Sequence, residues 1–313
     1  MQFQERDGEI LKFIQFIGDG IASRRHLREI FWPDAKTDRA MDRRLSKLGE
    51  KSYIRWSTKT HYKSAGEPSR ERIVWLGPRG AWWLAHKLGS PLNYLDKASE
   101  TWKRRIEKEL RSFGYRWLRE PKWIQLRHDL EAINFRLAVE SALSRMPDFS
   151  LEEWRLESCF RADYDTVEYR TLGRGGELKR GMKGVQPDGY FMIVNMVRHN
   201  AGLSARTRFL LELDQGTADL ERMSEKFLAG GPAYINSHAF AKRFGDNKAH
   251  WLVITTGKTR MKHLIDKVIE KVGPGAKAFL FTTSQKWKKE NVLTSPIWLQ
   301  PEGKVPGSLF PAS

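Results

Sequence analysis

The chain has 313 residues, 40% of them hydrophobic and 30% charged, with 12 Trp and 16 Phe; that is enough apolar material for about two packed cores and excludes wholesale disorder. Its 55 Lys and Arg against 38 Asp and Glu leave a formal charge of +17, which points to a polyanionic partner, because each cation placed on a phosphate releases condensed counterions. Cys159 is the only cysteine, so a disulfide framework and a cysteine-based zinc finger are excluded. No run approaches the roughly 18 apolar residues of a membrane span, and the opening MQFQERDGEI has charges where a signal peptide needs an apolar core. The expectation is a cytoplasmic protein that does not engage membranes.

In chain order, Ile10, Phe13, Ile14 and Ile17 recur at helical spacing, and Ser23 offers an N-cap for a second helix through Phe31. Pro33 and Asp34 break the chain. Thr37 can then cap a third helix whose Met41, Leu45 and Leu48 form one face and whose Arg39, Arg43 and Lys47 form the opposite one, with Arg44 beside them. Two β-rich segments follow, Tyr53 to Ser57 and Arg72 to Leu76, separated by a polar stretch carrying Lys59, His61 and Lys63. Three helices followed by a basic hairpin is the order of a winged helix-turn-helix, in which the third helix enters the major groove and the wing lies on the backbone. A basic stripe alone also describes a solvated face; the order of elements is what favours double-stranded DNA as partner.

A fourth helix is expected over 78–88, and Gly89, Ser90 and Pro91 then punctuate the chain. This places a winged-helix domain at 1–90 and a basic helical connector at 91–124, helical from Ala98 to Trp123 and dense in Lys103, Arg104, Arg105, Lys108 and Arg111. Within 125–300 the pattern predicts a helix at His128 to Leu143, then strands at Trp154 to Ser158, Gly189 to Val194 and Phe209 to Leu213. A helix around Glu221 to Leu228, a strand at His250 to Thr255, a helix through Lys271 and a strand at Ala278 to Thr282 complete it. Between the first two strands lies a Gly-rich loop with Arg170, Arg174, Lys179, Arg180 and Lys183, and 301–313 reads as a tail. The fold class is α+β or α/β, with an αβββαβ core in the second domain.

Phosphodiester hydrolysis needs a divalent metal held by carboxylates and a nearby Lys to stabilise charge. Asp188, in Pro187-Asp188, and Glu212, in Glu212-Leu213-Asp214, stand at the start of one strand and the end of the next. The arrangement resembles the PD-(D/E)xK nuclease superfamily. The resemblance implies Mg²⁺ or Mn²⁺ on Asp188 and Glu212, with His128 or Glu131 of the first helix joining the shell. Asp214 occupies the Lys position of that motif, and Lys226 on the following helix is the available replacement, so the catalytic set would be Asp188, Glu212 and Lys226. The rival reading of the same residues is a turn aspartate and a strand-end glutamate.

Longer stretches, ERDGEILKFI, GPRGAWWLA, HDLEAINFRLAVE, PDGYF, LELDQGT and SPIW, resemble the replication-relaxation family of plasmid and mobile-element proteins. That resemblance implies a DNA-binding protein acting in replication, DNA relaxation or transfer, beside replication or conjugation proteins and as a dimer. It carries His128, Asn134, Asp188, Glu212 and Asp214. Two readings follow: a degenerate nuclease-like domain serving as a DNA clamp, or an active metal-dependent endonuclease or nickase. A P-loop is excluded because Met182 stands where the closest segment, from Gly176, needs Lys. A paired-His relaxase is excluded because the eight His are scattered.

Overall fold

The structure is a computed structural model that describes residues 2–57, 72–95, 99–172 and 177–311. It divides into two compact units, Met1–Ile133 and Asn134–Ser313, of mixed α+β character.

In the first unit, α1 (Glu5–Lys12) continues into a π-helical turn, Phe13–Ile17, and buries Ile10, Leu11, Phe13 and Ile14. Gly18 ends the turn, and a Cβ there would lie 1.7 Å from the Ile21 carbonyl oxygen, so only glycine lets the chain reverse into β1 (Ile21–Ser23). Ser23 then caps α2 (Arg24–Phe31), its Oγ accepting from the His26 amide at 3.2 Å. Helix α3 (Arg39–Glu50) buries Met41, Leu45 and Leu48 as the periodicity predicts. Thr37 does not cap it. Asp38 takes that place, and its carboxylate goes to the Arg24 and Arg28 guanidinium groups at 2.7 and 3.0 Å rather than to the helix amides.

Strands β2 (Ile54–Trp56) and β3 (Ile73–Leu76) pair antiparallel as expected, and β1 adds to the other edge of β3, giving the order β1-β3-β2. All four residues of the central β3 are buried. The tip between β2 and β3, with Lys59, His61 and Lys63, lies outside the described residues. Helix α4 (Pro78–Lys87) follows.

Helix α5 covers Glu100–Ser112 only, a correction to the longer helix expected to Trp123: Gly114 adopts φ +83° and terminates it. The residues after it are irregular but tied down. The Trp117 indole donates to the Leu76 carbonyl at 3.2 Å, the Trp75 indole to the Arg119 carbonyl at 2.9 Å, and Gln15 to the Arg116 carbonyl at 3.0 Å. Buried polar groups need such partners, and much of the tryptophan in this unit closes loops in this way. A single helix, α6 (Leu126–Leu143), runs across the boundary.

The second unit begins with β4 (Phe149–Leu156) and a short helix, α7 (Glu157–Ala162). The strand expected at Trp154 to Ser158 thus starts earlier and stops at Leu156. The Gly-rich segment is not a loop. It forms a two-stranded antiparallel hairpin, β5 (Asp165–Leu172) with β6 (Leu178–Val185). Alternating Val167 and Val185 are buried and anchor it, while Gly181 leaves room for the Tyr169 ring, which a Cβ would approach to 2.6 Å. Arg174 lies outside the described residues.

Next come β7 (Gly189–Asn195), α8 (Met196–Asn200), β8 (Arg206–Asp214), α9 (Leu220–Leu228), α10 (His238–Phe244), β9 (His250–Thr255), α11 (Lys258–Val272), β10 (Phe279–Thr283) and α12 (Ser284–Trp287). The main sheet has the order β10-β9-β8-β7-β4, with β4, β7 and β8 antiparallel and β8, β9 and β10 parallel. Both of its faces are covered. Tyr190, Leu210, Trp251, Phe279 and Phe281 pack with Phe227 of α9 and Leu264 of α11, while Phe191 stacks on Phe209 and Trp154 and meets Phe135 of α6. This is why β7 to β9 read as nearly continuous apolar runs. The tail is folded in: Phe310 lies 4.9 Å from Phe149, ring to ring. No described helix is long and apolar enough to cross a membrane.

Candidate DNA-contacting face and carboxylate cluster

The apolar stripe of α3 turns Arg39, Arg43 and Lys47 outward, and all three are exposed. None forms an ion pair with a carboxylate among the described residues, whereas Arg24 is bound to Asp42 through two hydrogen bonds of 2.9 Å and to Asp38. Arg44 is placed differently. It is turned inward onto Asp7, which is fully buried, with Nε donating to Asp7 Oδ1 at 2.6 Å and Nη2 to Asp7 Oδ2. That contact holds the Arg44 guanidinium above its ordinary range. Asp7 also accepts from the Gln4 amide at 2.8 Å, so one buried carboxylate ties the start of α1 to α3.

A second row of cations lies on α5. Its buried face is Trp102, Ile106 and Leu110; Arg104, Arg105 and Lys108 are exposed and carry no carboxylate partner among the described residues. Lys103 and Arg111 pair with Glu100 and Glu107 along the helix at 2.5 and 2.7 Å.

In the second unit the β7–β8 ladder sets Gly189 opposite Leu211, which brings Asp188 to the end of β8. The Asp188 amide donates to the Leu211 carbonyl at 2.9 Å, and the Leu213 amide donates back to Asp188 Oδ2 at 2.6 Å. Glu212, one residue along β8, projects to the same place. Helix α9, capped by Asp219 and held down by Met223 and Phe227, supplies Lys226, whose Nζ lies 2.5 Å from Glu212 Oε2 and 3.9 Å from Asp188 Oδ1. The carboxylates are 6% and 9% exposed and the lysine 27%. Burial opposes the charge on Lys226, yet Glu212 first and Asp188 second outweigh it and hold the ammonium above the ordinary lysine range. Glu157, at the start of α7, adds to the same field. Asp188, Glu212 and Lys226, separated by up to 38 positions in sequence, therefore form one cluster.

Asp214 is not part of it. Its carboxylate receives two hydrogen bonds from Arg260 of α11 at 2.9 and 3.1 Å, one from Thr255 Oγ1 at 2.8 Å and one from the Gly216 amide. This side chain fastens α11 to the sheet. Glu131 and His128 stand on α6 in the first unit, His128 Nδ1 lying 3.5 Å from Asp129. On the hairpin, Lys183 pairs with Glu225 at 3.1 Å, Arg180 lies 3.7 Å from Glu168, and Arg170 is exposed. Glu157 carries no sequence signal for this place, because it belongs to no spacing that separates a site residue from an ordinary helix charge.

The family model described as replication-relaxation matches residues 18–245, and the chain belongs to that family. Comparison with curated proteins and with solved structures gives no match.

Proposed function

Starting from membership of the replication-relaxation family, we propose that the protein binds double-stranded DNA of a plasmid or other mobile element in the cytoplasm and acts there in replication, relaxation or transfer. The observation that carries this is the row Arg39, Arg43 and Lys47, exposed on α3 without carboxylate partners. Unpaired surface cations gain most from a phosphate backbone, since no internal salt bridge has to break first. The helices α1, α2 and α3 with the small sheet β1-β3-β2 support a winged-helix arrangement with α3 as reading helix.

A duplex titration followed by fluorescence anisotropy tests this reading. Changing Arg39, Arg43 and Lys47 together to Ala should weaken binding severely, each contact being worth about 1 to 3 kcal/mol. Unchanged affinity refutes it.

The second reading is a metal-dependent nickase, and the cluster in the second unit favours it. The order α6, β4, β7, β8, α9, β9 fits a PD-(D/E)xK-like core, with the β5–β6 hairpin as an insertion. Two carboxylates supply the hard oxygen donors that Mg²⁺ or Mn²⁺ prefers, so Asp188 and Glu212 would hold the ion. The metal would polarise the scissile phosphate and activate water. Lys226 would then place its positive charge beside the phosphate. In the non-catalytic reading Lys226 itself neutralises the pair and the unit serves as a clamp. Supercoiled plasmid with Mg²⁺ or Mn²⁺ separates the two: relaxed or linear product, lost in Asp188→Ala with DNA binding intact, supports the nickase, and no product from the wild type supports the clamp.

A further inference from the structure

A cleft of about 230 Å³ opens on the first unit, lined chiefly by Gln4, Arg6, Trp32, Arg43, Arg44 and Lys47. Four of these side chains are cationic and none is acidic. Arg44 is committed to Asp7, but Arg6, Arg43 and Lys47 have no carboxylate partner among the described residues; Arg6 instead lies over the Trp32 ring, 5.2 Å from its centroid. Three uncompensated like charges facing one small concavity repel each other, and the arrangement is relieved by an anion with several acceptor oxygens.

We propose that this cleft seats a single phosphate of the DNA backbone, with Arg6 reaching it from α1 and Arg43 and Lys47 from α3. The inference rests on the DNA-binding reading and adds to it a contact outside the reading helix. The chemistry selects phosphate: guanidinium groups donate in pairs to its oxygens, and an ammonium adds a point charge. The walls are fixed in advance, because Asp7 accepts from the Gln4 amide on one side and from Arg44 on the other. Trp32, only 7% exposed, is too buried to stack on a base and serves to hold the Arg6 guanidinium plane. A phosphate held between α1 and α3 sets the register with which α3 meets the groove, as backbone contacts do in general.

The test is a salt series of duplex binding with wild type, Arg6→Gln and Arg6→Lys. Arg6→Gln is expected to weaken binding about tenfold and to make the slope of log affinity against log salt shallower by up to about 0.9, the value of one whole phosphate contact, since Arg43 and Lys47 remain on the same phosphate, with unchanged melting temperature; Arg6→Lys should recover the slope and part of the affinity. An Arg6→Gln protein with wild-type affinity and slope overturns the cleft. In that case the triple change Arg39, Arg43 and Lys47 to Ala still decides the DNA-binding reading separately. A wild type with no duplex affinity overturns both.

Discussion

The two units carry similar kinds of charged side chain, and the contrast lies between the cation rows on two helices of the first and the ion pairs that hold the second together. On α3 and α5 the cations Arg39, Arg43, Lys47, Arg104, Arg105 and Lys108 are exposed, with no counter-charge among the described residues. In the second unit Lys226 lies between Glu212 and Asp188, Arg260 clasps Asp214, Arg243 is bound to Asp165 at 2.6 Å, and Arg208 reaches Asp246 at 3.2 Å. Net charge alone therefore does not locate a DNA surface. What distinguishes a cation available to phosphate from one that holds the fold is whether a carboxylate already occupies it.

The sharpest way to test this contrast is to attack the buried pair of the first unit, Arg44 with Asp7. Asp7→Asn leaves Arg44, 15% exposed, facing a neutral amide, and breaking a buried pair from one side costs about 3 to 5 kcal/mol. Urea unfolding should show a loss in that range; a loss below about 1 kcal/mol would mean that Arg44 is effectively solvated and belongs with the free cations after all.

The cluster in the second unit gives the next effect. Lys226→Met leaves Asp188 and Glu212 with no cation between them, at an expected cost of about 2 kcal/mol at pH 7, discounted because the lysine is partly exposed. The sign of its pH dependence follows. In the wild type the lysine is raised above 10.5, so its contribution is complete below that pH and is lost as pH climbs through the folded value. In Lys226→Met one carboxylate takes up a proton more readily folded than unfolded, so the deficit shrinks as pH falls toward about 5. Melting curves of both proteins across this range, with and without Mg²⁺, check it; Mg²⁺ should stabilise the variant more than the wild type if the carboxylates can share an ion.

Much of this architecture was legible in the sequence, because periodicity reports burial. Met41, Leu45 and Leu48 announce the inward face of α3, and His250 to Thr255 announces a strand covered on both sides. The failures have physical causes. Residues 165–185 read as a loop because glycine and arginine are poor strand formers, yet Gly181 is there to admit the Tyr169 ring. The sequence pattern extends α5 to Trp123 because nothing but Gly114 marks its end. At the site, the gathering of Asp188, Glu212 and Lys226 could be guessed from strand order and the helix that follows. That Arg44 faces Asp7 and Asp214 faces Arg260 could not, since a charge on a helix or a strand end looks the same whether its partner is water or a distant residue.

The α5 row gives a smaller effect. If unpaired cations are what phosphate selects, changing Arg104, Arg105 and Lys108 to Ala should shallow the salt slope by up to about 2.7 if each makes one phosphate contact, with little change in stability, because surface charges of this kind contribute within about 0.5 kcal/mol. Wild-type binding with an unchanged slope would confine the DNA surface to α3 and its surroundings.

The smallest effect comes from a histidine in the second unit whose Nδ1 has no hydrogen-bond partner among the described residues. His250, at the start of β9 opposite Phe209, is half-buried, its Nδ1 meets no hydrogen-bond partner, and burial lowers its pKa below 6.5. Above that pH the ring is neutral in both folded and unfolded chains and contributes no pH dependence. Below it the unfolded chain takes up a proton that the folded one resists, so stability falls as pH drops from 6.5 toward the folded value. Other groups titrate in the same range, so the measurement is a difference: the melting temperature of His250→Gln minus that of the wild type, from pH 8 to pH 5. Gln cannot be protonated, so the difference should be constant above 6.5 and move in favour of the variant below it. A difference that stays flat throughout would mean that the histidine is solvated well enough to carry its proton in place.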